Sequence, residues 1–455
     1  MKEGNGMQEK HQRVYKELIK AYYTNHFEET FKKILKEEFE NKQEAKDVLS
    51  ILCGVEDLEE EEDYLFTQKL LDAITRQQVR KKIVQKVRIC KEDCEREGEK
   101  SKCQSVCPFD AIIRDGAGEK WIDESLCISC GCCVSVCEKG NYMETPQFLP
   151  LISWLKGEEK VIAIVAPAIA GQFGKEISLD QLREAFIKLG FADMVEVAIA
   201  ADILSLKEAL EFSEHVAKKG DFMITSCCCP MWVAALRKVY SSIIKDVSPS
   251  VSPMIAMGRV LKTLTPEIKV VFIGPCMAKK AEAKEKDLVG AVDAVLTFEE
   301  LKLIFEAFEI EVKSLKGVPA IDYASTGGRL YARTGGVSQA VWDIVDQVFP
   351  KKRELFTAQQ ADGMKACKSL LEELVKGEVK ASFIEGMGCK GGCVGGPKAI
   401  ISVEEGKQAV NQTAYESVIK IPIHSEVLQA LLSRLGIERL EELSKEQSLF
   451  ERDFR

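Results

Sequence analysis

The chain has 455 residues, enough for about three domains of ordinary size. Its 46% apolar content suits buried cores, and a net charge of −9 argues against a general affinity for nucleic acid or anionic membranes. The opening MKEGNGMQEKHQR lacks a secretory-type apolar stretch, and the longest apolar run, Val161–Ala170, is too short to cross a bilayer, so a cytoplasmic protein is expected.

Residues 1–85 are polar and charged. Apolar positions such as Tyr15, Leu18, Ile19 and Tyr22 recur at helical spacing, which predicts a small helical N-terminal domain without catalytic groups. The acidic run Glu56–Asp63 marks an exposed loop or helix end. A ferredoxin-like α+β domain over residues 86–145 follows, with nine cysteines between Cys90 and Cys137. From residue 146 to 455 an α/β catalytic domain is expected, with parallel sheets flanked by helices in two lobes. Its strands are read from VIAIVAP, MVEVAIA, FMIT, KVVFIG, DAVLT and SFIE, short runs that are mostly followed by helix formers. Thr297 and Glu300 have the spacing of a capping box. The stretch Leu206–Lys218 looks helical, and an amphipathic helix is expected over residues 424–444.

Seventeen cysteines are the outlying number, and only Cys53 and Cys367 stand apart from the tight groups. In a reducing compartment, clustered thiolates read as soft-metal or iron–sulfur ligands rather than disulfides. None of the four histidines (His11, His26, His215, His424) stands in zinc-finger register with a cysteine pair. Cys127, Cys130, Cys133 and Cys137 have the bacterial ferredoxin spacing, and the earlier run Cys90, Cys94, Cys103, Cys107 ends on Pro108. In two-cluster ferredoxins the fourth cysteine of each run crosses over. Cys90, Cys94, Cys103 and Cys137 are therefore assigned to one 4Fe–4S cluster, and Cys127, Cys130, Cys133 and Cys107 to the other. Cys132 is left over. Two four-cysteine zinc sites are the competing reading.

Three further cysteine motifs each follow a predicted strand. Ser226-Cys227-Cys228-Cys229-Pro230-Met231-Trp232 follows FMIT, Pro275-Cys276-Met277-Ala278-Lys279-Lys280-Ala281-Glu282 follows KVVFIG, and Gly386-Met387-Gly388-Cys389-Lys390-Gly391-Gly392-Cys393 follows SFIE. Ligands gather at the carboxyl ends of strands in open α/β sheets, so the three loops are expected to converge on one further iron–sulfur centre.

These motifs resemble the signatures TSCCPxW, PCxxKxxE and ExMxCxGGC of FeFe hydrogenases, over about residues 145–440. The likeness extends to Ala166-Pro167-Ala168 and Thr334-Gly335-Gly336-Val337, and the cysteine-rich segment looks most like the group often called B. The resemblance implies reversible reduction of protons to H₂, with electrons relayed by the two 4Fe–4S clusters from or to ferredoxin or a similar low-potential carrier. It implies that Cys229, Cys276, Cys389 and Cys393 hold a 4Fe–4S cubane. Cys393 would bridge to a diiron subsite with CO, CN and dithiolate ligands, inserted by maturation factors. Lys279 would then donate to a cyanide, Ala166, Pro167 and Pro275 would line the pocket, and Met387 would pack against the diiron unit. Cys228 would relay protons, with Cys227 as the alternative, and Glu208 and Glu211 would carry them outward with Ser248 between them. Glu282 is expected against Lys279 or water, and His215 is read as part of an ordinary polar face. Departures from the pattern are Gly274 for methionine, Ala168 for serine, Ser338 for methionine, and a short Val394–Pro397 loop. A slow, hydrogen- or redox-sensing relative is the alternative function. The hydrogenase-like iron–sulfur assembly factors are a third class, disfavoured by the complete second motif with Lys279 and Glu282.

Overall fold

The computed structural model describes residues 9–56, 58, 62–87, 94, 100–116, 118–226, 228–319, 323–445 and 448–454. Four helices open the chain: Glu9–Tyr23, Phe27–Glu37, Lys42–Leu52 and Asp63–Thr75. The expected apolar stripe turns inward, with Tyr15, Leu18 and Ile19 fully buried. Asn41 starts the third helix by accepting from the backbone N–H groups of Gln43 and Glu44. The fourth begins at Asp63, so the acidic run ends where a helix starts. The first helix lies on Phe298–Ala307, tied by Lys16–Glu306 and Lys20–Glu309, both 2.8 Å. One apolar core runs from these N-terminal helices into the large sheet.

The cysteine-rich segment is built from two antiparallel strand pairs. β1 (Val84–Lys86) pairs with the later β4 (Tyr142–Glu144), while β2 (Ile112–Arg114) pairs with β3 (Lys120–Ile122). Two one-turn helices, Lys102–Val106 and Cys132–Val136, pack together, the first against β2 and the second against β4. β1 starts two residues before the expected boundary at 86.

Two parallel sheets follow. The first has the order β6–β5–β8–β9, with β5 Val161–Val165, β6 Asp193–Glu196, β8 Lys269–Gly274 and β9 Ala294–Thr297. The second has the order β10–β11–β7, with β7 Met223–Ile224, β10 Ala358–Asp362 and β11 Phe383–Met387. Both are parallel throughout. The expected α/β architecture of parallel sheets flanked by helices is present. The helix Ala198–His215 is buried along most of its length, apolar and polar residues alike.

Three boundaries differ from the sequence reading. MVEVAIA is strand only in its first half, because Val197 opens the long helix; a continuous apolar run fits a strand and a buried helix equally well. That helix ends at His215 rather than Lys218. The expected C-terminal helix stops at Arg434, ahead of Gly436 at φ +75°, and resumes only as a short 3₁₀ turn over Leu440–Ser444. β10, Ala-Gln-Gln-Ala-Asp, was not expected; it is an edge strand with a largely polar, exposed sequence.

Candidate functional site

Each of the three motif loops leaves the carboxyl end of a strand: the first leaves β7, the second β8 and the third β11. Since β8 belongs to one sheet and β7 and β11 to the other, the loops meet between the lobes. In the first loop the buried Trp232 donates from Nε1 to the carbonyl of Thr225 at 2.7 Å, closing the turn that carries the cysteines. Its ring lies so close to Gly386 that a Cβ there would stand 2.1 Å from it, so the glycine of the third motif admits the tryptophan of the first. In the third loop Gly391 and Gly392 are both left-handed, at φ +86° and +83°, a backbone that L side chains rarely adopt. Glu385, at the head of that motif, accepts from the backbone N–H of Gly335 and Ser338 and from the Ser338 hydroxyl, at 2.7–2.8 Å. This fixes the third motif to the Thr334–Val337 run.

The four predicted cubane thiols come together. Burial first, then the neighbouring Cys229 and Cys393 thiols, push Cys276 up to about 12. Burial and Cys229 push Cys393 up to about 11. Cys389 is raised by burial and by Cys276, Cys229 and Cys393. Cys229 accepts the Gly388 N–H at 3.3 Å. All four are partly accessible although protein surrounds them, and Cys389 opens on a cavity of about 530 Å³ shared with Cys130 and Cys132. Binding of a metal to such thiols releases their protons. Four soft donors facing internal space fit an iron–sulfur cube. Among the described residues no three His, Cys, Asp or Glu side chains stand close enough to grip a single ion.

Lys279 is buried beside them. Burial lowers its proton affinity, but the Glu282 carboxylate at 2.6 Å, with Cys276 and Cys393, more than restores it, and the net shift is upward. Of the two expected contacts for Glu282, the Lys279 one is made. Ala166, just past β5, donates its N–H to the Ile273 carbonyl of β8 at 2.9 Å, and Pro275 follows directly on β8. Pro167 opens a 3₁₀ turn there. Cys228 is buried and faces Met387, with its Sγ 3.7 Å from the Met387 Sδ. Cys227 lies outside the described residues.

On the long helix, Glu208 is fully buried and accepts the Thr225 hydroxyl at 2.9 Å. Glu211 accepts the Ser248 hydroxyl at 2.6 Å. Ser248 therefore sits on Glu211, and Thr225 is the partner of Glu208. Glu211 and Ser248 also line an open cleft of about 360 Å³ with Glu214, His215, Lys245 and Asp246. His215 stands 3.4 Å from Asp246 at its rim. Sequence reasoning missed Thr225, Lys207 and Ser250; Thr225, next to the first motif, was the one it had a signal for.

In the cysteine-rich segment, Cys133 is raised by burial and by Cys130, Cys127, Cys107 and Cys103. Cys107, Cys127, Cys130 and Cys133 also line one small cavity. Tyr142 feels Cys103, Cys133 and Cys137, and its hydroxyl lies 4.0 Å from the Cys103 Sγ. The two halves repeat one another: Ala111 N–H donates to Cys107 Sγ and Asn141 N–H to Cys137 Sγ, each at 3.2 Å and four residues on. Cys132 hydrogen-bonds Cys130. Cys90 lies outside the described residues, and Cys94 is exposed. Met277 of the second motif is fully buried in the same apolar cluster as Cys103, Val134 and Tyr142, and Cys130 lies within electrostatic reach of Cys389.

Fold and site define an α/β protein whose three strand-end loops gather cysteines between two lobes, next to a cysteine-rich double ladder. Residues 159–397, over half of the chain, match the family described as iron only hydrogenase large subunit, C-terminal domain, and the chain belongs to that family. It is 27% identical over 344 residues to the NADP-reducing hydrogenase subunit HndD of Solidesulfovibrio fructosivorans, covering 63% of this chain and 58% of that one. It spans between half and three-fifths of the length of the first hydrogenase relatives. It is also 23% identical over 365 residues to the nuclear prelamin A recognition factor of Xenopus laevis, covering 66% of this chain and 80% of that one. Among solved structures it shares its fold with apo [FeFe]-hydrogenase HydA1 from Chlamydomonas reinhardtii, at TM-score 0.56 and 20% identity, over 66% of this chain and 97% of that one.

Proposed function

We propose that this protein is an FeFe hydrogenase that interconverts protons and H₂, exchanging electrons with ferredoxin or a similar low-potential carrier in the cytoplasm. The observation that carries this reading is the meeting of Cys229, Cys276, Cys389 and Cys393 beside the buried Lys279–Glu282 pair. The four thiols would hold the cubane of an H-cluster, with Cys393 bridging to the diiron unit as in the resembled family. When bound, the H-cluster supplies the redox centre at which two protons and two electrons join as H₂.

The residues of the chain divide the remaining work. Lys279 offers a buried ammonium to an anionic ligand, and a charge-assisted hydrogen bond is strong in such surroundings. Met387 and Cys228 line the same spot, so a thiol stands ready to pass a proton. Glu208 with Thr225, then Glu211 with Ser248, lead from there to the open cleft at His215 and Asp246. Two 4Fe–4S clusters in the cysteine-rich segment would form the electron wire, and the nearness of Cys130 to Cys389 supports a junction between wire and site.

A second reading is favoured by the relatives, which include a probable cytosolic Fe-S cluster assembly factor of Anopheles gambiae. That reading needs the clusters but no diiron unit. Infrared spectroscopy of protein matured with the diiron cofactor, together with H₂ evolution from reduced viologen, separates the two. Carbonyl and cyanide bands with fast turnover support the hydrogenase. Bands with slow turnover point to a sensor, and failure to take up diiron points to assembly.

A further inference from the structure

Lys207 carries a charge in the interior with no exposure at all. A buried ammonium is costly unless it is well paired. Its partners are the Glu211 carboxylate one turn along the same helix, the Ser250 hydroxyl at 3.3 Å, and the Glu451 carboxylate at 3.4 Å. Ser250 Oγ lies 2.8 Å from Ser248 Oγ, which donates to the other oxygen of Glu211. Lys207, Glu211, Ser248 and Ser250 thus close a ring of hydrogen bonds around the outer carboxylate of the proton route.

The third partner of Lys207 comes from the far end of the chain. Residues 448–454 form a strap laid antiparallel on the segment that bears Ser248 and Ser250. Val251 N–H donates to the Phe450 carbonyl at 2.9 Å, and Arg452 N–H donates to the Pro249 carbonyl at 2.8 Å. Phe450 is fully buried. Arg259 grips the Leu449 and Glu451 carbonyls at 3.0 and 2.7 Å, while Arg452 pairs with Glu285 and Asp287.

We propose that Lys207, held by Glu451 of the C-terminal strap, is a positioning residue for proton delivery: it fixes Glu211 against Ser248 so that protons pass between the cleft and the buried site. The inference rests on the hydrogenase reading and deepens it. When Glu211 is ionised, the Ser248 hydroxyl donates to it. When Glu211 takes a proton from the cleft, that hydroxyl turns to Ser250 Oγ, whose lone pairs accept both it and Lys207. Glu211 takes up one proton from the cleft and later releases one; the serines and Lys207 end as they began. The charged and titratable groups around Glu211 are Lys207, Glu208, Glu214 and His215 on its own helix, Lys245 and Asp246 across the cleft, and Glu451 and Arg452 on the strap.

The test compares wild type with Glu451→Gln and Glu451→Asp in matured protein; Lys207→Met is less useful, because it strands two carboxylates. Glu451→Gln should lower kcat for H₂ evolution on the order of 10- to 100-fold, as slight misplacement of a relay does. The KM for viologen and the carbonyl–cyanide bands should stay as in wild type. The pH profile and the solvent deuterium isotope effect should change, hydrogen-exchange protection over residues 247–252 should fall, and Glu451→Asp should recover most of the lost rate. A wild type that turns over while Glu451→Gln matches it in kcat, pH profile and isotope effect overturns this inference alone. A wild type with full cofactor bands and no turnover overturns the hydrogenase reading and this inference together.

Discussion

At the scale of single residues, the two described thiols of the first motif have different neighbours. Both face the third motif, but at different points: Cys229 accepts the Gly388 N–H, and Cys228 meets the Met387 sulfur. Cys389→Ala should therefore prevent assembly of the cubane, read as loss of iron and of its electron-paramagnetic signal. Cys228→Ala should keep the cofactor bands and slow turnover by about 10²- to 10⁴-fold, the range of a lost acid–base group. Full turnover in Cys228→Ala would discard this thiol as the relay. Both expectations come from the family resemblance, anchored on Pro230 and Trp232, with Cys227 as the alternative relay. Ser248 was expected between Glu208 and Glu211 and is found on Glu211, whereas Thr225 and Ser250 were not foreseen as partners, because they reach the helix from another strand and loop.

At the scale of elements, the third loop depends on two consecutive left-handed glycines. Gly392→Ala would put a Cβ 2.7 Å from the Thr334 backbone nitrogen in a conformation costing about 1–2 kcal/mol by itself. Lower iron content with unchanged helical circular dichroism is expected. The long helix has its own pH signature through Asp202, which holds Ser325 at the start of the helix Thr326–Leu330. Burial pushes the Asp202 carboxyl up to about 7, against the opposing hydrogen bonds from Ser325. The folded chain then keeps a proton that the unfolded chain has released above its ordinary value of 3.8. Stability should fall as pH rises from about 4 to 7, by up to about 1.4 kcal/mol per unit, and level off above. Asp202→Asn should flatten that slope in urea unfolding midpoints taken across the range. The capping box at Thr297 was readable in advance, and its geometry is present.

At the scale of the whole molecule, a buried ion network joins the cysteine-rich segment to the two α/β lobes. Lys280 of the second motif pairs with Glu144 of β4 at 2.6 Å and with Glu300 at 2.8 Å, while Lys398 behind the third motif pairs with Glu144 at 3.0 Å and Glu299 at 2.8 Å. Burial opposes charge on Glu144, but the two lysines outweigh it and hold the carboxyl below its usual range. Lys280→Met leaves Glu144 and Glu300 without their shared cation, and breaking such a pair costs about 3–5 kcal/mol. A lower urea midpoint is expected, with faster hydrogen exchange over residues 142–145. Unchanged exchange there would show that the two units do not depend on this junction.

Sequence alone determined which cysteines cluster, which strands end in cysteine-bearing loops, and which family the motifs resemble. Those features are local, set by spacing along the chain and by the side-chain period of short apolar runs. Tertiary structure decided what meets across distance. It placed Met277 among the cysteine-rich residues, Trp232 against Gly386, and Glu451 of the far C-terminus against Lys207. Such contacts follow from how sheets and helices pack, and a buried charge gives no sign in the sequence of which distant partner will neutralise it.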